Sequence, residues 1–262
     1  MLLAVDVGNT QTHLGVFDHQ RLIHEWRART EARRTADELA LMFGDFLSLA
    51  ELSFSRQITG VAICSVVPRA TQELRAMTVQ YFGFPAVIVE PGIKTGIAVK
   101  TENPREVGAD RIANAVAAHY LFPDEPVVVV DFGTAITVDA VSGDGEYLGG
   151  AIAPGLDISA SALFSATAQI RRVELTAPAH GIGKNTVAAV QSGLIFGTAA
   201  LVDGLVERVD KELGGGARVV ATGGLSEQVV EHCVRIEVTE PQLTLTGLRL
   251  LFEANATSDD TP

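Results

Sequence analysis

The chain has 262 residues, 47% of them hydrophobic, enough to bury a substantial core in one large domain or two modest ones. Its 20 basic and 32 acidic side chains give a formal charge of −12, which repels phosphate backbones and anionic lipid and argues against nucleic acid as a partner. With no basic leader or cleavable apolar stretch at the start, and no run read as approaching bilayer-spanning length, a cytoplasmic protein with no membrane partner is expected.

Residues 2–7 form a short apolar run closing on Asp6, Val7 and Gly8, and residues 13–17 and 22–29 follow with tight connections, which predicts a three-stranded meander. Thr35 with Glu38 three residues on matches a capping box ahead of Leu39, Leu41, Met42, Phe43, Phe46 and Leu47, so a helix is expected from about residue 36. Residues 60–67 read as a buried strand, and Pro68 suits the first turn of a helix to about residue 82. A strand over 85–90, a loop-rich crossing over 92–103 and a helix from about 105 to 121 come next.

From Pro126 the opening pattern returns, with strands expected over 127–131, 136–142 and 145–153. Helices over about 156–170 and 185–213, a strand at 218–221, and helices over 226–233 and about 243–256 complete the reading. The polar tail 257–262 is expected to be disordered.

The repetition is also visible in residue types. Asp6, Val7, Gly8, Asn9 and Thr10 hold the same place after the first apolar run as Asp131, Phe132, Gly133, Thr134 and Ala135 hold after the second. A duplicated α/β lobe accounts for this, with an N-terminal lobe over 1–121 and a C-terminal lobe over 122–256. In the 185–213 helix, Gly193, Gly197 and Gly204 make one surface smooth, which suits close packing inside the chain or against a second copy.

An Asp-x-Gly turn after an apolar strand sets a carboxylate beside backbone N–H donors that can reach phosphate oxygens. One such turn is equally a polar hairpin, whereas two in equivalent places can clamp a polyphosphate, one carboxylate near a divalent metal and the other near substrate or a second cation. The segment 181–186 resembles a phosphate loop, but Pro178 stands where its first glycine belongs, so that assignment fails, and no dinucleotide glycine fingerprint is present. Gly223 and Gly224 after a strand let a flat ligand such as adenine approach the backbone, or make a plain strand-to-helix turn.

Gly108, Ala109, Asp110 and Arg111 put a carboxylate and a guanidinium side by side at a helix start. There Asp110 can accept the proton of an attacking alcohol and Arg111 can neutralise anionic charge, although an isolated pair of this kind also serves as helix cap and surface ion pair. The six histidines lack zinc-type pairing, and Cys64 and Cys233 lack metal or disulfide-framework spacing, so both thiols read as reduced and structural.

Taken in order, Asp6 to Thr10, Gly108 to Arg111, Asp131 to Thr134 and the run Gly183, Lys184, Asn185, Thr186 resemble the motif set of type III pantothenate kinases, over essentially the whole chain before the tail. The resemblance implies the duplicated actin-like and hexokinase-like fold, two ribonuclease-H-like lobes with mixed sheets and an ATP cleft between them. It also implies transfer of the ATP γ-phosphoryl group to the primary hydroxyl of pantothenate, giving 4′-phosphopantothenate for coenzyme A synthesis. By matching position it gives a phosphate-binding turn at Asp6, Val7, Gly8, Asn9 and Thr10, with Asp6 placed to help manage Mg²⁺ and phosphate charge, and an ATP contact at Thr134; Gly223 and Gly224 join these as ATP contacts on the reading of the strand-to-helix turn given above. Pantothenate contacts fall on Gly108, Ala109, Asp110 and Arg111, with Asp110 the proton acceptor, and Asp131 matches the ligand of an activating monovalent cation, K⁺ or NH₄⁺. Thr186 matches a substrate contact made across a homodimer, which favours the second-copy reading of the glycine-bearing helix. One departure stands out: many members carry an aromatic residue before the Gly-Ala-Asp-Arg segment, and residues 99–103 here hold none.

Two other classes remain open from sequence. A non-catalytic accessory regulator would keep the fold without needing Asp110 or Asp131, and a kinase or phosphatase acting on a sugar or polyphosphate would share the two Asp-Gly turns.

Overall fold

The computed structural model describes residues 1–167, 171–224 and 226–256. The opening meander is present as β1 (Leu2–Val7), β2 (Gln11–Asp18) and β3 (Arg21–Arg29). Helix α1 (Ala36–Leu49) starts at the expected capping box: the Glu38 N–H donates to Thr35 Oγ1 and the Thr35 N–H donates to Glu38 Oε2 at 2.8 Å. Strand β4 (Gly60–Ser65) and helix α2 (Pro68–Met77) follow, and the chain continues through a π-helical turn to Gly83, whose φ of 80° ends it.

Strands β5 (Val87–Ile88) and β6 (Ala98–Val99) precede α3 (Ala109–Leu121). The sheet then repeats as β7 (Val127–Phe132), β8 (Ala135–Val141) and β9 (Glu146–Pro154). Helices α4 (Leu156–Ala166) and α5 (Thr186–Glu212) lead to β10 (Arg218–Thr222), the short α6 (Ser226–Val229), β11 (Val238–Thr239) and α7 (Leu243–Asn255).

The two sheets have one topology. The first runs β3-β2-β1-β4-β5 and the second β11-β10-β7-β8-β9, extended at the β9 edge by β6. In each, the meander is antiparallel and the central strand pairs in parallel with the strand that follows a helical crossover, β1 with β4 and β7 with β10. Both central strands are buried on both faces, which is why Leu2 to Val5 and Val127 to Val130 are continuous apolar runs without alternation. The first core gathers Leu3, Val5, Leu14, Phe43, Leu47 and Ile63, and the second Val128, Val130, Ile136, Ile195, Val202 and Val219.

The chain divides into two compact units, residues 1–98, 102–117 and 243–262 in one, residues 99–101 and 118–242 in the other. This differs from the expected division at 121/122 chiefly through α7. Its Leu245 and Phe252 side chains lie against the backbone at Gly15 and Gly60, where a Cβ would not fit, so the last helix completes the first core.

Several expected bounds shift for local reasons. Residues 104–106 make a separate 3-10 turn capped by the Asn103 side chain, and α3 begins after Gly108, whose carbonyl accepts its first helical hydrogen bond from the Ile112 N–H. The crossing over 92–103 contains β6, pinned by donation from the Lys100 N–H to the Tyr147 carbonyl at 2.8 Å. The expected helix over 226–233 shortens to α6 and a 3-10 turn, Val230–His232, while residues 168–170 and 257–262, the expected disordered tail included, lie outside the described residues.

Helix α5 corrects the expectation about apolar runs: its 27 residues are long and apolar enough to cross a bilayer. Its stripe of Val190, Leu194, Ile195, Ala199, Val202 and Val206 is buried in the second core, the position of a core helix.

Candidate active site

Within the first unit, the β1–β2 connection places Asp6 at the strand end and Gly8, Asn9 and Thr10 in the turn, closed by donation from the Gly8 N–H to the Gln11 carbonyl at 3.0 Å. A Cβ at Gly8 would stand 3.1 Å from that same carbonyl, so glycine keeps the turn tight. The Thr30 N–H donates to the Thr10 carbonyl at 2.9 Å, fastening the segment after β3 against the turn. Asn9 and Thr10 are exposed, while Val7 is buried under the turn.

Asp6 is partly buried and accepts from the Cys64 thiol at 3.1 Å. Burial pushes its carboxyl up to about 7, the Cys64 hydrogen bond opposes that rise, and the charge of Asp110 adds to it. Burial also pushes the Cys64 thiol well above its ordinary range, with the charges of Asp6 and Asp110 adding, so Cys64 is a protonated donor. The same unit therefore brings the two sequence-predicted carboxylates, Asp6 and Asp110, into electrostatic contact.

Asp110 is in the first turn of α3, and the Arg111 N–H donates to its Oδ1 at 2.8 Å. That oxygen lies 2.5 Å from where a Cβ at Gly108 would stand. Gly108 is thus the space into which the Asp110 carboxylate folds. Further along α3, Asn114 Oδ1 accepts from Thr244 Oγ1 at 2.7 Å, a buried polar contact that locks α3 to α7 in the first unit.

The second unit repeats the arrangement with a turn one residue shorter: Phe132 pairs with Ile136 where Val7 pairs with Thr12. The Gly133 N–H donates to the Ala135 carbonyl at 3.1 Å, and Thr134 is exposed at the tip. The Gly155 N–H donates to the Thr134 carbonyl at 3.2 Å, an approach that any Cβ at residue 155 would block.

Asp131, the last but one residue of β7, is in register with Thr222 of β10, next to Gly223. At Gly223 the backbone has φ +94°, and a Cβ there would lie 2.5 Å from Asp131 Oδ1 and 2.6 Å from the Phe132 carbonyl oxygen. Gly223 therefore does more than end a strand, since it leaves room for two oxygens that converge beside the turn. Gly224 is exposed beyond it.

Thr186 opens α5, one residue after Asn185, whose side chain caps the helix by accepting from the Ala188 N–H at 2.9 Å. Gly183 packs so closely on the backbone of Ala188 and Ala189 that a side chain is excluded. The loop and helix line an open depression of about 750 Å³ with Leu163, Lys184, Val190 and Gly193. In the 99–103 stretch, the Lys100 ammonium pairs with Glu146 at 3.3 Å.

The sequence pattern of the Pan_kinase family, type III pantothenate kinase, matches residues 2–208. The chain belongs to the type III pantothenate kinase family. A type III pantothenate kinase of Frankia alni is 52% identical over 256 residues, covering 97% of this chain and all of that one. Among solved structures, component A of the (R)-2-hydroxyglutaryl-CoA dehydratase of Acidaminococcus fermentans superposes with a TM-score of 0.58 at 17% identity, over 97% of this chain and 96% of that one. A Campylobacter jejuni protein described as a Baf family transcriptional activator gives 0.60 at 18%, over 96% and 97%. At these identities the likeness shows the fold, the duplicated actin-like and hexokinase-like α/β architecture.

The sequence reads Cys64 as a reduced structural thiol and gives no sign of the Phe132 carbonyl beside Asp131. Cys64 stands in an apolar strand with no motif around it, and only the pairing of β4 with β1 brings it to Asp6. A backbone carbonyl carries no residue signature at all.

Proposed function

We propose that the chain transfers the γ-phosphoryl group of ATP to the primary hydroxyl of pantothenate, with Asp110 as proton acceptor, and that it works as a cytoplasmic homodimer. Membership of the type III pantothenate kinase family over residues 2–208 is the observation that carries the reaction. In the step, the hydroxyl oxygen forms a bond to the γ-phosphorus, the bond from that phosphorus to the β,γ-bridging oxygen breaks, ADP leaves, and the hydroxyl proton passes to an Asp110 oxygen. The Asp110 carboxylate supports this assignment, because the Arg111 N–H and the space left at Gly108 hold it in one orientation at the start of α3. The Arg111 guanidinium offsets anionic charge on the substrates.

The turn at Gly8 with exposed Asn9 and Thr10, and its counterpart at Thr134, suit phosphate oxygens, and the exposed Gly224, reached through the tight bend at Gly223, suits the adenosine moiety. Among the described residues no group of three or more His, Cys, Asp or Glu is arranged to hold a metal ion, so a Mg²⁺ ion held by Asp6 would take most of its ligands from the nucleotide and water. Such an ion supplies charge neutralisation for the phosphates. Asp131 with the Phe132 carbonyl is an all-oxygen pair of the kind that suits K⁺ or NH₄⁺.

The homodimer reading is supported by α5. Ala189, Gly193, Gly197 and Ala200 are exposed, a Cβ at Gly193 or Gly197 would meet nothing within 4 Å, and Ile182 beside the Thr186 loop is 84% exposed. A smooth face of this kind suits close approach of the same helix from a second copy, with Thr186 reaching the partner's pantothenate.

The test is ATP consumption by the purified protein with Mg²⁺, with and without pantothenate, in K⁺ or Na⁺ buffer. Pantothenate-dependent turnover that rises with K⁺ is expected. Turnover of hexoses without turnover of pantothenate, or none with either, would overturn the assignment.

A further inference from the structure

The Cys64 thiol is a buried group that the reaction described above leaves unused. Strand β4 runs parallel to β1 with Cys64 in register with Asp6, and register partners in neighbouring strands project to the same face of a sheet. Cys64 is fully buried, in a strand whose preceding residues, Gly60 to Ile63, are apolar and buried. Its Sγ sits 3.1 Å from Asp6 Oδ1, with the thiol as donor. The contact depends on backbone pairing and on the few torsions of two short side chains, so little rotamer freedom can loosen it.

We propose that Cys64 is a positioning residue for Asp6: its thiol ties down one carboxylate oxygen and so fixes the orientation in which the other meets the charge of the nucleotide. The proposal rests on the role of Asp6 in nucleotide binding given above. A protonated thiol suits the place because it offers one donor without adding charge beside Asp6 and Asp110, and otherwise packs as a small hydrophobe in an apolar strand. Serine keeps the donor, and valine keeps the apolar packing without it.

Turnover of Cys64 and Asp6 variants, together with one spectroscopic measurement, tests this. Cys64→Val is expected to lower kcat about tenfold or raise the KM for Mg·ATP by a similar factor, with the KM for pantothenate unchanged, as fits losing a hydrogen bond to a charged group. Cys64→Ser is expected to stay within about threefold of the unaltered enzyme even if its melting temperature falls. A purely structural cysteine would give the opposite order, because valine suits an apolar strand better than serine does.

The readout independent of turnover is the infrared S–H stretching band in a Cys233→Ala background, where Cys64 is the remaining thiol. It is expected below the free-thiol position and should move up when Asp6→Ala removes the acceptor. A band at the free-thiol position, or one that ignores Asp6→Ala, would overturn the proposal, as would unimpaired turnover in Cys64→Val. Full turnover in Asp6→Asn would instead overturn the role of Asp6, and the positioning role with it. Loss in Asp6→Asn with none in Cys64→Val removes the positioning role alone.

Discussion

Asp110 Oδ1 occupies the space beside Gly108 that any other residue at that position would claim, 2.5 Å from the site of a Cβ. The carboxylate is held there by the Arg111 N–H at 2.8 Å, so the conformation of one side chain depends on the absence of another.

Gly108→Ala is therefore expected to displace the Asp110 carboxylate and lower kcat by at least about tenfold, since small misplacements of a reacting group are costly. The melting temperature should change little, because residue 108 lies outside the helix and makes no core contact. Steady-state kinetics alongside thermal unfolding will separate the two effects, and an unaltered kcat would show that the carboxylate can act from elsewhere.

Asp110→Asn is nearly isosteric and keeps an oxygen for the Arg111 N–H. Turnover is expected to fall by about 10² to 10⁴, the usual contribution of a general base, with ATP affinity largely retained. Calorimetric titration with ATP beside the kinetic assay is the check, and an undiminished rate would remove the base assignment.

Asp6 carries a carboxyl raised from its ordinary 3.8 to about 7 by burial, and this has a definite consequence for stability against pH. Between those values the folded chain holds a proton that the unfolded chain has released, so the contribution of this group falls as pH rises from about 4 to about 7 and stays unfavourable above. Asp6→Asn removes the cost while keeping an acceptor for Cys64. In Mg²⁺-free buffer with chelator, the variant should melt higher than the unaltered protein at pH 8 and by a clearly smaller margin at pH 5, and in a separate assay with Mg²⁺ it should lose turnover at both. An equal margin at the two pH values would show that burial of the charged form is not what costs stability here.

Asp131→Ala is expected to blunt the difference between turnover in K⁺ and in Na⁺ buffer. Gly223→Ala should do the same and also destabilise the fold, because alanine is strained at φ +94° and its Cβ would meet Asp131 Oδ1. Turnover titrated with KCl at constant ionic strength measures both. An unchanged response in Asp131→Ala would count against a cation role for this carboxylate.

Much of this was legible in the residues themselves. Local chemistry sets a capping box at Thr35 and Glu38, a helix start at Pro68, and apolar runs at residues 2–5 and 127–130 that suit strands covered on both faces. The duplicated Asp-x-Gly turns were legible for the same reason, since a tight turn after a strand needs its glycine whatever surrounds it.

Other features depend on residues far apart in the chain. The final helix is amphipathic and could have packed on either core, and the fit of Leu245 and Phe252 against the backbone at Gly15 and Gly60 decided which. The raised carboxyl of Asp6 needs the parallel pairing that brings Cys64 to it and the helix start that brings Asp110. Local propensity and turn chemistry act over a few neighbouring residues and can be read from order alone, whereas burial, strand pairing and electrostatic coupling exist only once distant segments share the same space.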